Sequence, residues 1–125
     1  EPTLYPKIGE LIEAFKRRKF STFLVTNAAH PEVLEKIELP TQLYMSLDAP
    51  NREIHKKLNL PLNENVWDSI QGTIALFPSL DTRKVIRITA VKKYNMVEPE
   101  NYAKLIEKSN ADFVEVKSYM PVGHS

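Results

Sequence analysis

Residues 41–50 read "TQLYMSLDAP", and the fold turns on this stretch. With the two-residue period of a strand, Leu43, Met45 and Leu47 share one side, and Gln42, Tyr44, Ser46 and Asp48 share the other. An apolar side suits a core, and a polar side suits water or a ligand. The flanking chain has helical periodicity, and strands joined by helices imply a parallel sheet whose faces are normally covered. Tyr44, Ser46 and Asp48 therefore need a reason to lie on the side that helices leave free.

Outward from that strand, helix and strand alternate through the whole chain. Before it, Ile8, Leu11, Ile12 and Phe15 follow the i, i+3, i+4, i+7 spacing of an amphipathic helix. Pro6 suits the first turn of that helix, where its missing N–H has no partner to lose. "STFLVTNA" (21–28) reads as a short strand, apolar on both sides until Thr26 and Asn27. Pro31 opens a helical piece with Val33, Leu34 and Ile37, which Pro40 closes. After the central strand come a helical run, "NREIHKKL" (51–58), a loop with Pro61, and a longer helix from about Asn63. That helix puts Val66, Trp67, Ile70, Ile74 and Phe77 on one face. "KVIRITAVKK" (84–93) is the third strand, Pro99 starts a helix with Tyr102, Leu105 and Ile106 inward, and "DFVEVKS" (112–118) is the fourth. No internal repeat or low-complexity segment interrupts this order.

The polar side has company on the later strands. In 84–93, Val85, Arg87, Thr89 and Val91 oppose Ile86, Ile88 and Ala90; in 112–118, Phe113, Glu115 and Lys117 oppose Val114 and Val116. A flat sheet with helices on both faces would bury Arg87 and Glu115 at high cost. A sheet curved towards a barrel avoids this, with helices outside and the mixed face lining a polar interior. The fold class expected is α/β, the parallel-stranded portion of a barrel. Arg87 in such an interior has a donor fork that fits a carboxylate or phosphate. The alternative is an ion pair with Glu115 or Asp48 that serves stability alone. Polar residues also gather at the carboxyl ends of all four strands: Thr26 and Asn27, Ser46 and Asp48, Lys92 and Lys93, Lys117 and Ser118. Parallel α/β folds bind ligands at those ends. Asn27 and Asp48 have a rival role as turn or helix-cap residues.

Composition narrows the function classes. With 125 residues, 42% hydrophobic and 26% charged, the chain is long and apolar enough for one ordered core, and residues 1–125 read as a single segment. A net charge of +1 gives no bulk reason for a polyanion partner, although "KRRK" (16–19), Lys56-Lys57 and Lys92-Lys93 leave room for a basic patch. There is no cysteine, which removes disulfides, a thiol nucleophile and cysteine-ligated metal from this stretch. His30, His55 and His124 lack any helical metal-binding spacing. No apolar run reaches membrane-span length and no signal-peptide pattern is present, so the cytoplasm is the default compartment. The opening Glu1-Pro2 and the closing "PVGHS" both read as cuts through a larger protein, with strand edges exposed that invite self-association.

"EPTLYP" (1–6), "FLVTNAAHPEVL" (23–34), "TQLYMSLDAP", "RITAVKKYNM" (87–96) and "DFVEVKSYMPVGHS" (112–125) together resemble the tRNA 4-demethylwyosine synthases. These are radical S-adenosylmethionine (SAM) enzymes that make the tricyclic base of wyosine-type tRNA. The resemblance runs end to end and in order. "EPTLYP" matches the glycine-glutamate-proline motif of many radical SAM enzymes without its glycine. "VTNA" and "SLDA" recur across the superfamily, whereas "DFVEVKSYMPVGHS" points to this family. The resemblance implies the later part of a partial (β/α)₆ TIM-like barrel. It also implies a [4Fe–4S] cluster held upstream by a CxxxCxxC loop, with SAM bound to its fourth iron site and reductively cleaved to a 5′-deoxyadenosyl radical. With pyruvate as two-carbon donor, N1-methylguanosine at position 37 of tRNA-Phe then becomes 4-demethylwyosine. Lacking the cluster loop and the pyruvate lysine, the segment alone would not turn over.

Carried onto this chain, the resemblance implies that Glu1 meets the methionyl amino group of the cosubstrate. It implies a polar contact from Asn27, and a reach from Ser46 and Asp48 to the ribose or carboxylate. Arg87, Lys92 and Lys117 match polar positions whose expected task is to anchor the carboxylate of SAM or of pyruvate. Two alternatives stand beside it: another radical SAM protein of the activating-enzyme type, and a non-catalytic α/β module that holds RNA with its basic clusters.

Overall fold

The structure, a computed structural model, describes residues 1–59, 66–91 and 93–119. Four strands, β1 (Phe23–Thr26), β2 (Gln42–Ser46), β3 (Arg83–Ala90) and β4 (Phe113–Ser118), form one sheet in sequence order, every pair parallel. Parallel neighbours cannot be joined by a tight turn, so helices carry the chain back between them. Helix α1 (Ile8–Arg17) precedes β1, and α2 (Pro31–Leu34) joins β1 to β2. Helices α3 (Arg52–Asn59) and α4 (Val66–Leu76), with a 3-10 turn at Phe77–Ser79, lead to β3, and α5 (Pro99–Ser109) leads to β4. The alternation expected from the sequence is realised.

The strands pair in phase. Val25 lies beside Tyr44 and Tyr44 beside Val85; Ser46 lies beside Arg87 and Arg87 beside Glu115. Alternate residues therefore share a face across the whole sheet. On one face, Leu24, Leu43, Met45, Leu47, Ile86 and Ile88 are buried under Ile8, Ile12, Leu34, Ile70, Ile74, Phe77 and Tyr102. Each such side chain contributes about 1.5–3 kcal/mol by leaving water. On the other face Phe23 and Val25 are exposed, and Tyr44, Ser46, Arg87, Thr89 and Glu115 are half-buried. Among the described residues the helices lie on one side only, as in the wall of a barrel.

Several boundaries differ from expectation for local reasons. "EPTLYP" opens on a 3-10 turn (Pro2–Leu4) capped by Glu1. Helix α2 stops at Leu34, and Ile37 follows in a turn that donates to the Val33 carbonyl. Strand β3 ends at Ala90: the Val91 N–H is taken by the Asn95 side chain at 2.8 Å, and Lys93 has φ 72°, so neither continues the strand. The expected helix start near Asn63, Pro61, Lys92 and residues 120–125 lie outside the described residues. Phe15, expected inward, is exposed and instead meets Phe20 edge-on, with ring centroids 6.1 Å apart. That contact closes α1: Lys19 sits at φ 64° while the Phe20 N–H reaches the Phe15 carbonyl and the Lys19 N–H reaches that of Lys16. Val114 and Val116, expected under helices, are 46% and 60% exposed. Val116 borders an apolar groove with Ile88, Met96, Val97, Tyr102 and Ile106.

Candidate active site at the carboxyl ends of the strands

A cleft of about 330 Å³ opens at the carboxyl ends of β1 and β2, lined among others by Asn27, Ser46, Asp48, His55, Trp67 and Ile70. Glu1 reaches the same end of β1. Its Oε2 accepts from the Thr3 N–H (3.2 Å), the Thr3 hydroxyl (2.5 Å) and the Thr26 hydroxyl (2.8 Å), and its Oε1 accepts from the Asn27 N–H (2.9 Å). Partial burial works to raise the Glu1 carboxyl, but the hydrogen bonds from Thr3, Asn27 and Thr26 outweigh it and hold the group below its usual range. Oε2 is saturated. Oε1 has one donor among the described residues, which leaves a lone pair for a cationic ligand group.

The backbone beside this clamp is unusual. Asn27 Oδ1 accepts the Ala29 N–H at 3.0 Å, so its side-chain carbonyl is spent on a turn, and its side-chain amide donates to no group among the described residues. Ala28 is fully buried at φ 66°, a left-handed conformation costly for a side-chain-bearing residue. Thr73 of α4 holds it there by donating to the Ala28 carbonyl at 2.8 Å.

Asp48 follows β2. It caps no helix: the first turn of α3 is capped by Asn51, whose Oδ1 accepts the Ile54 N–H at 2.9 Å. Asp48 Oδ1 instead accepts the Thr89 N–H of β3 at 2.7 Å. Its second oxygen has no hydrogen-bond partner among the described residues. Burial raises the Asp48 carboxyl above its ordinary value against the pull of the Thr89 N–H and of His55. His55 is buried against Trp67, ring centroids 5.5 Å apart, and burial lowers its imidazole despite the Asp48 charge.

Arg87 lies mid-strand on the helix-free face. The ion pair weighed from the sequence is present: its Nε donates to Glu115 Oε1 at 3.0 Å, and its guanidinium stacks over the Tyr44 ring at 4.6 Å. Only Nε is engaged. Both Nη groups donate to no protein group among the described residues, so a planar acid could still dock on the fork. Lys117 is exposed on the edge strand beside Thr89, apart from the cleft, and Lys92 falls outside the described residues.

The structure thus joins Glu1 to Asn27 directly, sets Ser46 and Asp48 on the same cleft, and pairs Ser46 with Arg87 across β2 and β3. Sequence reasoning placed Thr26 at the carboxyl end of its strand and Tyr44 on the polar face, neither with a task. Thr26 locks Glu1, and Tyr44 carries Arg87. His55 gave no signal, because the lysines around it made its helix look like a solvated surface. Among the described residues no group of three or more His, Cys, Asp or Glu could hold a metal, and no helix is long and apolar enough to cross a membrane.

A one-sided parallel sheet with its polar groups converging at the strands' carboxyl ends is the frame on which barrel folds build their active sites. The model of the radical SAM superfamily matches residues 1–106, and the chain belongs to that superfamily. Over its full length it is 48% identical to the S-adenosyl-L-methionine-dependent tRNA 4-demethylwyosine synthase of Pyrococcus abyssi and 37% identical to the human enzyme of that name, TYW1. It spans 38% and 17% of those proteins. A solved structure of TYW1 with a lysine–pyruvate adduct bound matches the whole chain with a TM-score of 0.90 at 38% identity, the chain covering 41% of it. A crystal structure of archaeal TYW1 matches 96% of the chain with a TM-score of 0.84.

Proposed function

We propose that this chain is the later barrel portion of a tRNA 4-demethylwyosine synthase, a radical SAM carbon–carbon lyase. In this reading the full-length enzyme condenses N1-methylguanosine-37 of tRNA-Phe with pyruvate. The observation that carries the reading is the whole-chain match to TYW1, in sequence and in backbone. The site residues fit the cosubstrate part by part. Glu1 Oε1 keeps a lone pair for the methionyl ammonium, and the open oxygen of Asp48, with Ser46 beside it, suits ribose hydroxyls. The free Nη groups of Arg87 suit a carboxylate, of SAM or of pyruvate. Lys92 and Lys117 are assigned to the same anions by resemblance alone, Lys117 lying on the edge strand apart from the cleft. The residues do not fit an iron–sulfur cluster, since the chain has no cysteine, and the cluster belongs to other parts of the enzyme. When bound, SAM supplies one-electron radical chemistry, while these residues supply position and charge. A tRNA substrate is consistent with work in the cytoplasm. Taken alone, the chain would associate through its unpaired β1 and β4 edges.

The test is reconstitution of the full-length enzyme with cluster, SAM, reductant, pyruvate and tRNA-Phe carrying N1-methylguanosine-37. The expected product is 4-demethylwyosine, read by mass. Asp48→Ala should weaken SAM binding about ten- to a hundredfold, as loss of one charge-assisted hydrogen bond does, with the melting temperature held. SAM cleavage without the tricyclic base would favour the activating-enzyme alternative. RNA binding with no SAM binding would favour the non-catalytic module.

A further inference from the structure

Asn95 lies in the loop between β3 and α5 and is completely buried. Its Nδ2 donates to two carbonyls on different strands, that of Asp48 beyond β2 (3.0 Å) and that of Thr89 in β3 (2.8 Å). Its Oδ1 accepts the Val91 N–H at 2.8 Å, and its main-chain carbonyl accepts the Tyr102 hydroxyl at 2.9 Å. The turn itself is closed by the Tyr94 and Asn95 N–H groups on the Val91 carbonyl, at 3.0 and 3.2 Å, by the Val91 N–H on Asn95 Oδ1, and by Tyr102. The reach to Asp48 crosses to the neighbouring strand and adds nothing to the turn.

Together with the bond from the Thr89 N–H to Asp48 Oδ1, these contacts form a closed ring. Asn95 holds the Asp48 main chain, Thr89 holds the Asp48 side chain, and Asn95 holds Thr89. A carboxylate tethered at one oxygen alone can still swing with its backbone. Tethered at both main chain and side chain, the carboxylate is held in place where Asp48 lines the cleft.

The geometry points to Asn95 as a positioning residue that aims the open oxygen of Asp48 at the cosubstrate. It rests on the reading that Asp48 contacts SAM. Tyr102 secures Asn95 from α5, and burial together with the Asp48 charge pushes its phenol up to about 12, so it stays a donor across the working pH range. No residue type in the loop advertises this task; a buried asparagine with three of its four hydrogen-bonding positions filled does.

The deciding variant is Asn95→Asp in the full-length enzyme. It keeps the shape and the acceptor for Val91 but removes both donors. The Kd for SAM, the affinity for tRNA, the melting temperature and hydrogen exchange at the Thr89 amide are measured together. Expected are a Kd for SAM raised about tenfold, tRNA affinity within about twofold, and faster Thr89 exchange. A folded Asn95→Asp protein with a lower melting temperature and an unchanged Kd would make Asn95 merely structural and overturn the inference. Where that variant does not fold, Tyr102→Phe decides: a Kd raised about two- to threefold supports the aim, and an unchanged Kd overturns it. Asp48→Ala separates the two levels. If it weakens SAM binding while the Asn95 and Tyr102 variants do not, only the positioning role falls. If it leaves SAM binding intact, the role given to Asp48 falls too.

Discussion

At the amino ends of the strands, Thr22 and Thr41 each accept the other's backbone N–H, at 3.2 and 2.9 Å, and the Thr82 hydroxyl donates to the Pro40 carbonyl at 2.6 Å. The buried Lys84 Nζ donates to the Leu80 carbonyl at 2.8 Å, and Lys16 pairs with Glu38. At the carboxyl ends Glu1 and Asp48, and mid-strand beside them Arg87, each satisfy one side of a polar group and leave the other side without a partner among the described residues. The amino end even carries the larger depression, about 530 Å³ against about 330 Å³. Size therefore does not mark the site here. What separates the ends is whether the donors and acceptors are spent on the protein's own backbone or left unfilled. The amino end is a clasp and the carboxyl end a socket, as expected where catalysis sits at the carboxyl face and stability at the other.

The comparison would break most visibly at Phe77, fully buried in the 3-10 turn that leads into the amino end of β3. Phe77→Ala should cost about 3–5 kcal/mol of stability, read by denaturant melts, while the folded fraction binds SAM with unchanged affinity. Weakened binding in proportion to the stability loss would mean that the two ends are not separable.

A smaller effect is expected at Arg87 and Glu115. Both side chains keep solvent contact, 27% and 43% exposed, so as a structural pair they are worth no more than about 1 kcal/mol. Glu115→Gln should lower stability by that amount or less. Arg87→Lys should fold normally yet lose activity about tenfold or more, because an ammonium cannot reproduce the planar fork. Full turnover by Arg87→Lys at limiting SAM and pyruvate would return Arg87 to the stabilising side of the comparison.

The smallest effect is the pH dependence of stability, where two carboxyls of the socket have opposite signs. Glu1 titrates in the folded chain below its ordinary 4.5, so its stabilisation is complete above that value and is lost as pH falls through the lower folded value. Asp48 titrates above its ordinary 3.8, so its contribution is present at low pH and lost as pH rises through the folded value. Melting temperatures over about pH 3 to 7 should show Glu1→Gln flattening the acid-side loss and Asp48→Asn removing the opposite slope. Identical profiles for wild type and Glu1→Gln would mean that the Thr3, Thr26 and Asn27 bonds do not favour the charged form.

Much of this was legible in the chain before folding. Strand alternation in 41–50 and the helical periods around it specify βα units, since periodicity is a local property of backbone geometry. The in-phase apolar positions specify which face the helices cover. The grouping of Asn27, Ser46, Asp48 and Arg87 at or facing the strands' carboxyl ends was legible as well, because parallel strands bring their ends together in order. Boundaries were less so: α2 and β3 are shorter than their patterns, and in β3 the cause is a side chain four residues past Val91.

The chain alone could not say how each polar group is used, because that depends on partners distant in sequence. Glu1 meets Thr26 and Asn27, 25 and 26 residues away, and Asp48 meets Thr89 at a separation of 41 and Asn95 at 47. Asn27 and Asp48 have the same rival roles on paper. Only the packed sheet makes one a turn residue and the other a carboxylate tied to β3, each with an atom that has no partner among the described residues. Sequence determined that Asn27, Ser46 and Asp48 reach the cleft, through period and order. Tertiary structure decided which of their atoms stay open, because a hydrogen bond is assigned only when the distant strand arrives.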